Sequence, residues 1–197
     1  MDTFDRNLVV CGIAGSLRRG SYNHALLREA RELAPEGMEL RIFDRMAEIP
    51  LFNEDVEAAG DPEPVRALKR AIAEADALLI ATPEYNHGVP GVLKNAIDWA
   101  SRPAPGSVLA GKPAAIFGAS PGIVGTARAQ SQLRQSLVFT DTPTLPQPEV
   151  LVYRAHEKFD AEGRLTDETT RRFVGMLLRR LAEWTHRMHR DAEVLAR

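Results

Sequence analysis

Short apolar runs alternate with amphipathic stretches along most of this chain. Leu8–Ala14, Ala77–Ala81 and Ala114–Gly118 are almost continuously apolar, and Met38–Phe43 alternates. Runs of this length without polar interruption read as strands buried on both faces. Between them lie segments of helical period: Asn23–Ala34, ended by Pro35 and Gly37; Val65–Glu74, with Pro64 in its first turn; Gly91–Ser101; and Thr126–Phe139. Prolines at 143, 146 and 148 make a fifth strand within Pro143–Val152 irregular. The polar stretch from Asp44 to Pro62 reads as a long loop. A closing helix over Leu165–Arg190 carries Phe173, Met176, Leu177, Leu181, Trp184 and Met188 on one stripe.

Repeated βα units of this kind predict an α/β fold: a parallel sheet with helices on both faces, forming one domain over 1–197. In the Gly91–Ser101 helix, Val92, Leu93, Ala96, Ile97, Trp99 and Ala100 spread over roughly 160°, wider than the ~100° needed to cover a sheet. Two burials of Trp99 follow: against another copy of the chain, or beneath its own. On the Thr126–Phe139 helix the apolar stripe is narrow (Ala129, Leu133, Leu137). It leaves Arg128, Gln130, Arg134 and Gln135 as polar donors able to meet a neighbour.

Composition narrows the function. The 197 residues are 44% hydrophobic, enough for one substantial core. Twenty-five basic against 27 acidic residues give a formal charge of −2, so no broad basic surface for nucleic acid is expected. No run is long enough to cross a membrane. Asp2, Asp5 and Arg6 precede an apolar run too short for a secretory signal, which points to the cytoplasm. Cys11 is the single cysteine and falls inside a strand, as an inert core thiol would. His186 and His189 lack further ligands, so no metal site is expected.

Three unusual loops follow strands and should meet at one sheet edge, where ligands bind in such folds. Gly15-Ser16-Leu17-Arg18-Arg19-Gly20-Ser21-Tyr22-Asn23 gathers hydroxyl, amide and guanidinium donors where a helix begins. It suits a phosphate monoester. It equally fits a capped helix beside surface arginines. The loop has neither the Walker lysine nor the Gly-x-Gly-x-x-Gly of dinucleotide sites. Pro83-Glu84-Tyr85-Asn86-His87-Gly88-Val89-Pro90-Gly91 fixes its backbone with two prolines and could frame a planar ring, or act as a rigid connector. Ser120-Pro121-Gly122-Ile123-Val124-Gly125 offers Ser120 and exposed N–H groups. No activated nucleophile or acid–base pair stands out, so the ligand itself would carry the chemistry and no catalytic side chain is assigned.

These motifs resemble those of the NAD(P)H-dependent FMN reductases, and more closely the chromate and quinone reductase branch. The resemblance rests on Gly15-Ser16-Leu17-Arg18-x-Gly20-Ser21-x-Asn23, on Pro83-Glu84-Tyr85-Asn86 with Val89-Pro90-Gly91-x-Leu93-Lys94-Asn95, and on Gly118-Ala119-Ser120-x-Gly122-x-x-Gly125. It implies a flavodoxin-like sheet of order 2-1-3-4-5 and bound FMN, with NADPH or NADH as co-substrate. Ser16, Arg18, Ser21 and Asn23 would hold the phosphate, with Tyr22 in the same binding set. Pro83, Glu84, Tyr85 and Asn86 would line the ring and ribityl chain, and Ser120 would meet the flavin from the other side. The acceptors implied are small molecules: quinones, with chromate or azo compounds as further candidates. A homodimer or homotetramer is also implied. His87-Gly88 departs from the aromatic and small pair frequent in relatives, which alters the rim over the flavin. A non-catalytic electron carrier of the same fold is the alternative.

Overall fold

The computed structural model describes residues 7–195; Asp2, Asp5 and Arg6 lie outside them. Strands β1 (Leu8–Ala14), β2 (Met38–Phe43), β3 (Ala77–Ala81), β4 (Ala114–Ala119) and β5 (Val150–Val152) pair in parallel, in the order β2-β1-β3-β4-β5. Six helices connect or follow them: α1 (Tyr22–Glu32), α2 (Glu54–Ala58), α3 (Glu63–Ala73), α4 (Gly91–Ala100), α5 (Ala127–Phe139) and α6 (Glu168–Leu195).

The alternation of side chains along each strand builds two cores. Val10, Leu79 and Phe117 point to the face covered by α1 and α6, with Leu26, Leu27, Leu177 and Leu181. Cys11, Leu78, Ile80 and Ile116 point to the opposite face, with Leu68, Ile72, Leu93, Ile97 and Leu133 from α3, α4 and α5. Both faces being apolar explains the uninterrupted runs in sequence. Burial pushes the Cys11 thiol up to about 12, so it stays protonated and unreactive. Among the described residues no helix is long and apolar enough to cross a membrane.

The chain departs from the sequence expectations at three places and decides between the two burials open to Trp99. The segment read as a loop over 44–62 contains a 3-10 turn (Met46–Glu48) and α2, which buries no residue and so leaves no periodic signal. Strand β5 is only three residues long, because the prolines before it cannot donate to a ladder. On α6 the buried stripe is Val174, Leu177, Leu178, Leu181 and Thr185, while Phe173 and Met176 are exposed. Trp99 is fully buried beneath its own chain: its Nε1 donates to the Pro50 carbonyl at 2.8 Å, and Phe52 meets its ring edge-on. It therefore offers nothing to a second subunit.

At the carboxyl end of β4 the packing leaves no room for a side chain at Gly118. A Cβ there would fall well inside contact distance of the Thr82 carbonyl oxygen and of Thr126 Oγ1. Both neighbours are buried, and Thr82 N–H also donates to the Phe117 carbonyl at 2.9 Å. Gly118→Ala should therefore destabilise the ligand-free protein by about 1–3 kcal/mol, the usual cost of overpacking. Urea unfolding measures it, and an unchanged midpoint would contradict this account of the sheet edge.

Candidate functional site

Beyond the carboxyl ends of β1, β3 and β4 three loops enclose a cavity of about 370 Å³. The chain reverses its winding between β1 and β3, and crevices at such switch points are the usual ligand sites of open α/β sheets. Ser16, Arg18, Ser21, Tyr22, Asn23, Pro83, Glu84, Tyr85 and Ser120 line the cavity, together with Ala119 and Pro121. Asn86 is not among the lining residues; it forms the turn beside them.

The first loop leaves β1 through Gly15, whose N–H donates to the Ala81 carbonyl at 2.8 Å. Ser21 then caps α1, its Oγ accepting from the N–H groups of Asn23 and His24 at 3.2 and 3.4 Å. No acidic side chain stands in the first turn of α1, so the positive end of its dipole is uncompensated. Among the described residues, the backbone N–H groups of Leu17, Arg19, Gly20 and Tyr22 donate to no protein acceptor. The Arg18 guanidinium lies over the Tyr22 ring, 5.6 Å from its centroid. Asn23 faces inward: Nδ2 donates to the Ala119 carbonyl and Oδ1 accepts from the Ala119 N–H, each at 2.9 Å. Its amide thus ties the start of α1 to the end of β4.

The second loop owes its course to Glu84. The carboxylate is buried (side chain 6% exposed) and accepts from the N–H groups of Arg128 and Ala129 at 2.9 and 3.2 Å and from the Arg128 guanidinium at 3.2 Å. Thr126 makes no side-chain cap on α5, so Glu84 caps that helix from another loop. Glu84 is therefore neither solvated nor a free anion facing the cavity. Tyr85 is half exposed, and its hydroxyl lies 3.3 Å from Ser16 Oγ. The third loop is anchored to the end of β5: Ser120 N–H donates to the Val152 carbonyl and Ala155 N–H to that of Ser120.

Two of the donors expected to be free on α5 are engaged within the chain, and Arg128 holds Glu84. Gln130 is buried and donates to Thr126 Oγ1 and to the Val150 carbonyl, and Arg134 donates to the carbonyl of Leu145. Only Gln135 of the four is left without such a bond. Residues that sequence reasoning passed over also shape the site. Gln132 donates to the His87 carbonyl and accepts from Val89 N–H, and His24 reaches the Ser16 carbonyl. Neither carries a sequence signal beyond its helical position. Among the described residues no cluster of three or more His, Cys, Asp or Glu could hold a metal ion.

Tyr85 and Gly88 exchange backbone hydrogen bonds across Asn86 and His87, which have φ of 50° and 63°. This is the I′ geometry, which favours glycine at the second central position. A left-handed side chain costs about 1–2 kcal/mol, against about 0.5–1 kcal/mol for the added freedom of glycine when unfolded. His87→Gly should therefore raise apo-protein stability by about 0.5–1 kcal/mol. A lowered urea midpoint would show that the imidazole contributes more than its strain removes.

Comparisons with known proteins place the chain in a family. Residues 8–157 match the family model of the NADPH-dependent FMN reductases. An NAD(P)H-dependent FMN reductase of Pseudomonas aeruginosa is 53% identical, over 92% of this chain and 97% of its own. A quinone reductase of Escherichia coli is 44% identical, over 83% and 87% respectively. The solved structure of FerB, a flavoenzyme NAD(P)H:(acceptor) oxidoreductase from Paracoccus denitrificans, is 38% identical with a TM-score of 0.83, covering 92% of this chain and 98% of that one. By family model, identity and fold alike, this chain belongs to the NADPH-dependent FMN reductase family.

Proposed function

We propose that this chain is an FMN-dependent NAD(P)H oxidoreductase that delivers two electrons to quinones, with the cavity as its flavin site. The observation that carries the reading is the first loop: four N–H groups without protein acceptors, two serine hydroxyls and Arg18 at the positive end of α1. Among the described residues the one carboxylate lining the cavity, Glu84, is already engaged. A phosphate dianion therefore meets donors and no competing charge. Pro83, Tyr85 and Pro121 supply apolar walls for a planar ring.

Bound FMN would supply the hydride-accepting ring, and the chain's part is to hold it and admit its partners. Ser16, Ser21, Arg18 and the loop N–H groups grip the phosphate, with Tyr22 beneath Arg18. Asn23 and Glu84 act one step back, each fixing two loops to each other. Asn86, at the turn, and Ser120, on the third loop, border the ring. Hydride transfer needs close stacking more than a strong acid or base, which accords with a cavity lacking a His–Asp pair. NADPH or NADH and the acceptor use the same open face in turn; chromate and azo compounds are further candidate acceptors. An electron carrier of this fold docks through a strongly acidic surface, whereas the formal charge here is only −2. We place the enzyme in the cytoplasm, where reduced pyridine nucleotide is supplied.

The purified protein should release FMN, not FAD, on denaturation, and should oxidise NADPH with a quinone present and no separate reductase. Mass analysis of the released flavin and a stopped assay check both. Release of FAD, or turnover that needs an added reductase, overturns the assignment.

The assembly expected is a homodimer or homotetramer, supported by a surface away from Trp99. Phe139 is 89% exposed at the end of α5, at the edge of a hollow that it lines with Phe52, Ile97 and Ala104 and with the charged Lys94, Asp98 and Arg102. An exposed ring beside a hollow that carries both apolar walls and charges of both signs can meet its own copy across a twofold axis. Phe139→Glu should shift the assembly toward monomer in light scattering. A mass near 21.7 kDa for the unaltered, FMN-loaded protein would refute the assembly.

A further inference from the structure

We infer that His24 is a positioning residue for the phosphate loop: its imidazole holds the Ser16 carbonyl and so sets the direction of the neighbouring N–H groups. This rests on reading the first loop as the FMN phosphate site. His24 stands in the first turn of α1, half-buried, and its Nε2 lies 2.8 Å from the Ser16 carbonyl oxygen. A carbonyl only accepts, so Nε2 carries the proton. The bond spans eight residues and closes the whole turn from the end of β1 to α1.

Other restraints on the turn are few. Within it, Ser21 N–H donates to the Arg18 carbonyl at 3.1 Å, and Arg18 N–H to Ser16 Oγ at a long 3.4 Å. Leu17 is half exposed, and the remaining contacts of the turn, Arg18 over the Tyr22 ring and Ser16 Oγ beside the Tyr85 hydroxyl, hold side chains and not the Ser16 peptide. The Ser16 carbonyl and the Leu17 N–H belong to one planar peptide unit and point in opposite directions. Holding the carbonyl against α1 therefore turns the Leu17 N–H away from the helix. It also stabilises the course along which the N–H groups of Arg19 and Gly20 stay free for an anion. Without His24 the turn samples other courses, and ordering it on phosphate binding lowers affinity. The backbone N–H of His24 meanwhile donates to Ser21 Oγ, so this residue joins both ends of the turn.

The test uses the full chain stripped of flavin, titrated with FMN and separately with riboflavin, which lacks the phosphate. His24→Leu should weaken FMN about three- to tenfold, the weight of one hydrogen bond. It should leave riboflavin affinity and the apo melting temperature unchanged. His24→Gln, whose amide can donate from the place of Nε2, should restore FMN affinity. Arg18→Ala is the reference for the underlying reading and should weaken FMN but not riboflavin. If Arg18→Ala behaves so and His24→Leu binds FMN like the parent, the role of His24 falls and the phosphate loop stands. If neither variant discriminates FMN from riboflavin, the phosphate-loop reading falls and takes the inference with it. Equal loss of both ligands in His24→Leu with a lowered melting temperature overturns the inference in favour of a purely structural histidine.

Discussion

Much of this molecule depends on one buried pair of hydrogen bonds, the side-chain amide of Asn23 against the peptide of Ala119. The two strand ends it relates, β1 and β4, are not neighbours in the sheet; β3 lies between them. No ladder bond can hold their loops in register. An amide presents a donor and an acceptor side by side, as a peptide does, so asparagine reproduces a rung of sheet pairing across the intervening strand. Ala119 would otherwise end its strand with a buried N–H and carbonyl short of partners, at a cost of about 1–3 kcal/mol each. The first and third loops thus meet because satisfying those groups requires it.

Glu84 solves the corresponding problem for the second loop. The N-terminus of α5 has N–H groups that Thr126 leaves uncapped, and a carboxylate arriving from the end of β3 accepts two of them. The charge lies at the positive end of a helix dipole and beside a guanidinium, which offsets its burial. Three loops are consequently joined by side chains that present little to the cavity. The groups left to face a ligand are hydroxyls, peptide N–H groups, rings and the Arg18 guanidinium.

The strands were legible because a sheet covered on both faces writes itself as uninterrupted apolar runs, and the loop motifs because they collect residue types with few other uses together. Direction was not legible. Asn23 and Glu84 stand in the motifs as groups able to bond a ligand, but their polar atoms turn to the protein. On α6, Phe173 and Met176 keep the period of a buried stripe about as well as Val174 and Leu178 do; the position of the sheet, which the helix alone does not encode, selected the latter. The wide apolar arc of α4 was real, yet the residues that cover Trp99 are Pro50 and Phe52, from a stretch with no periodic signal of its own. Gln130 and Arg134 look like surface donors from their helical positions, but their long side chains reach the carbonyls of Val150 and Leu145.

The turn at Asn86 and His87 stands apart from this scheme. It is closed by its own pair of backbone bonds and steadied by Gln132 from α5. Pro83 and Glu84, earlier in the same loop, are bound into the frame of the site, whereas the hydrogen bond that ties His87 to α5 is made by its main-chain carbonyl. The side chain at position 87 can therefore change without disturbing what grips a ligand inside the cavity. The fold thus keeps apart the residues that hold a ligand and a turn whose side chains can be exchanged without loosening that hold.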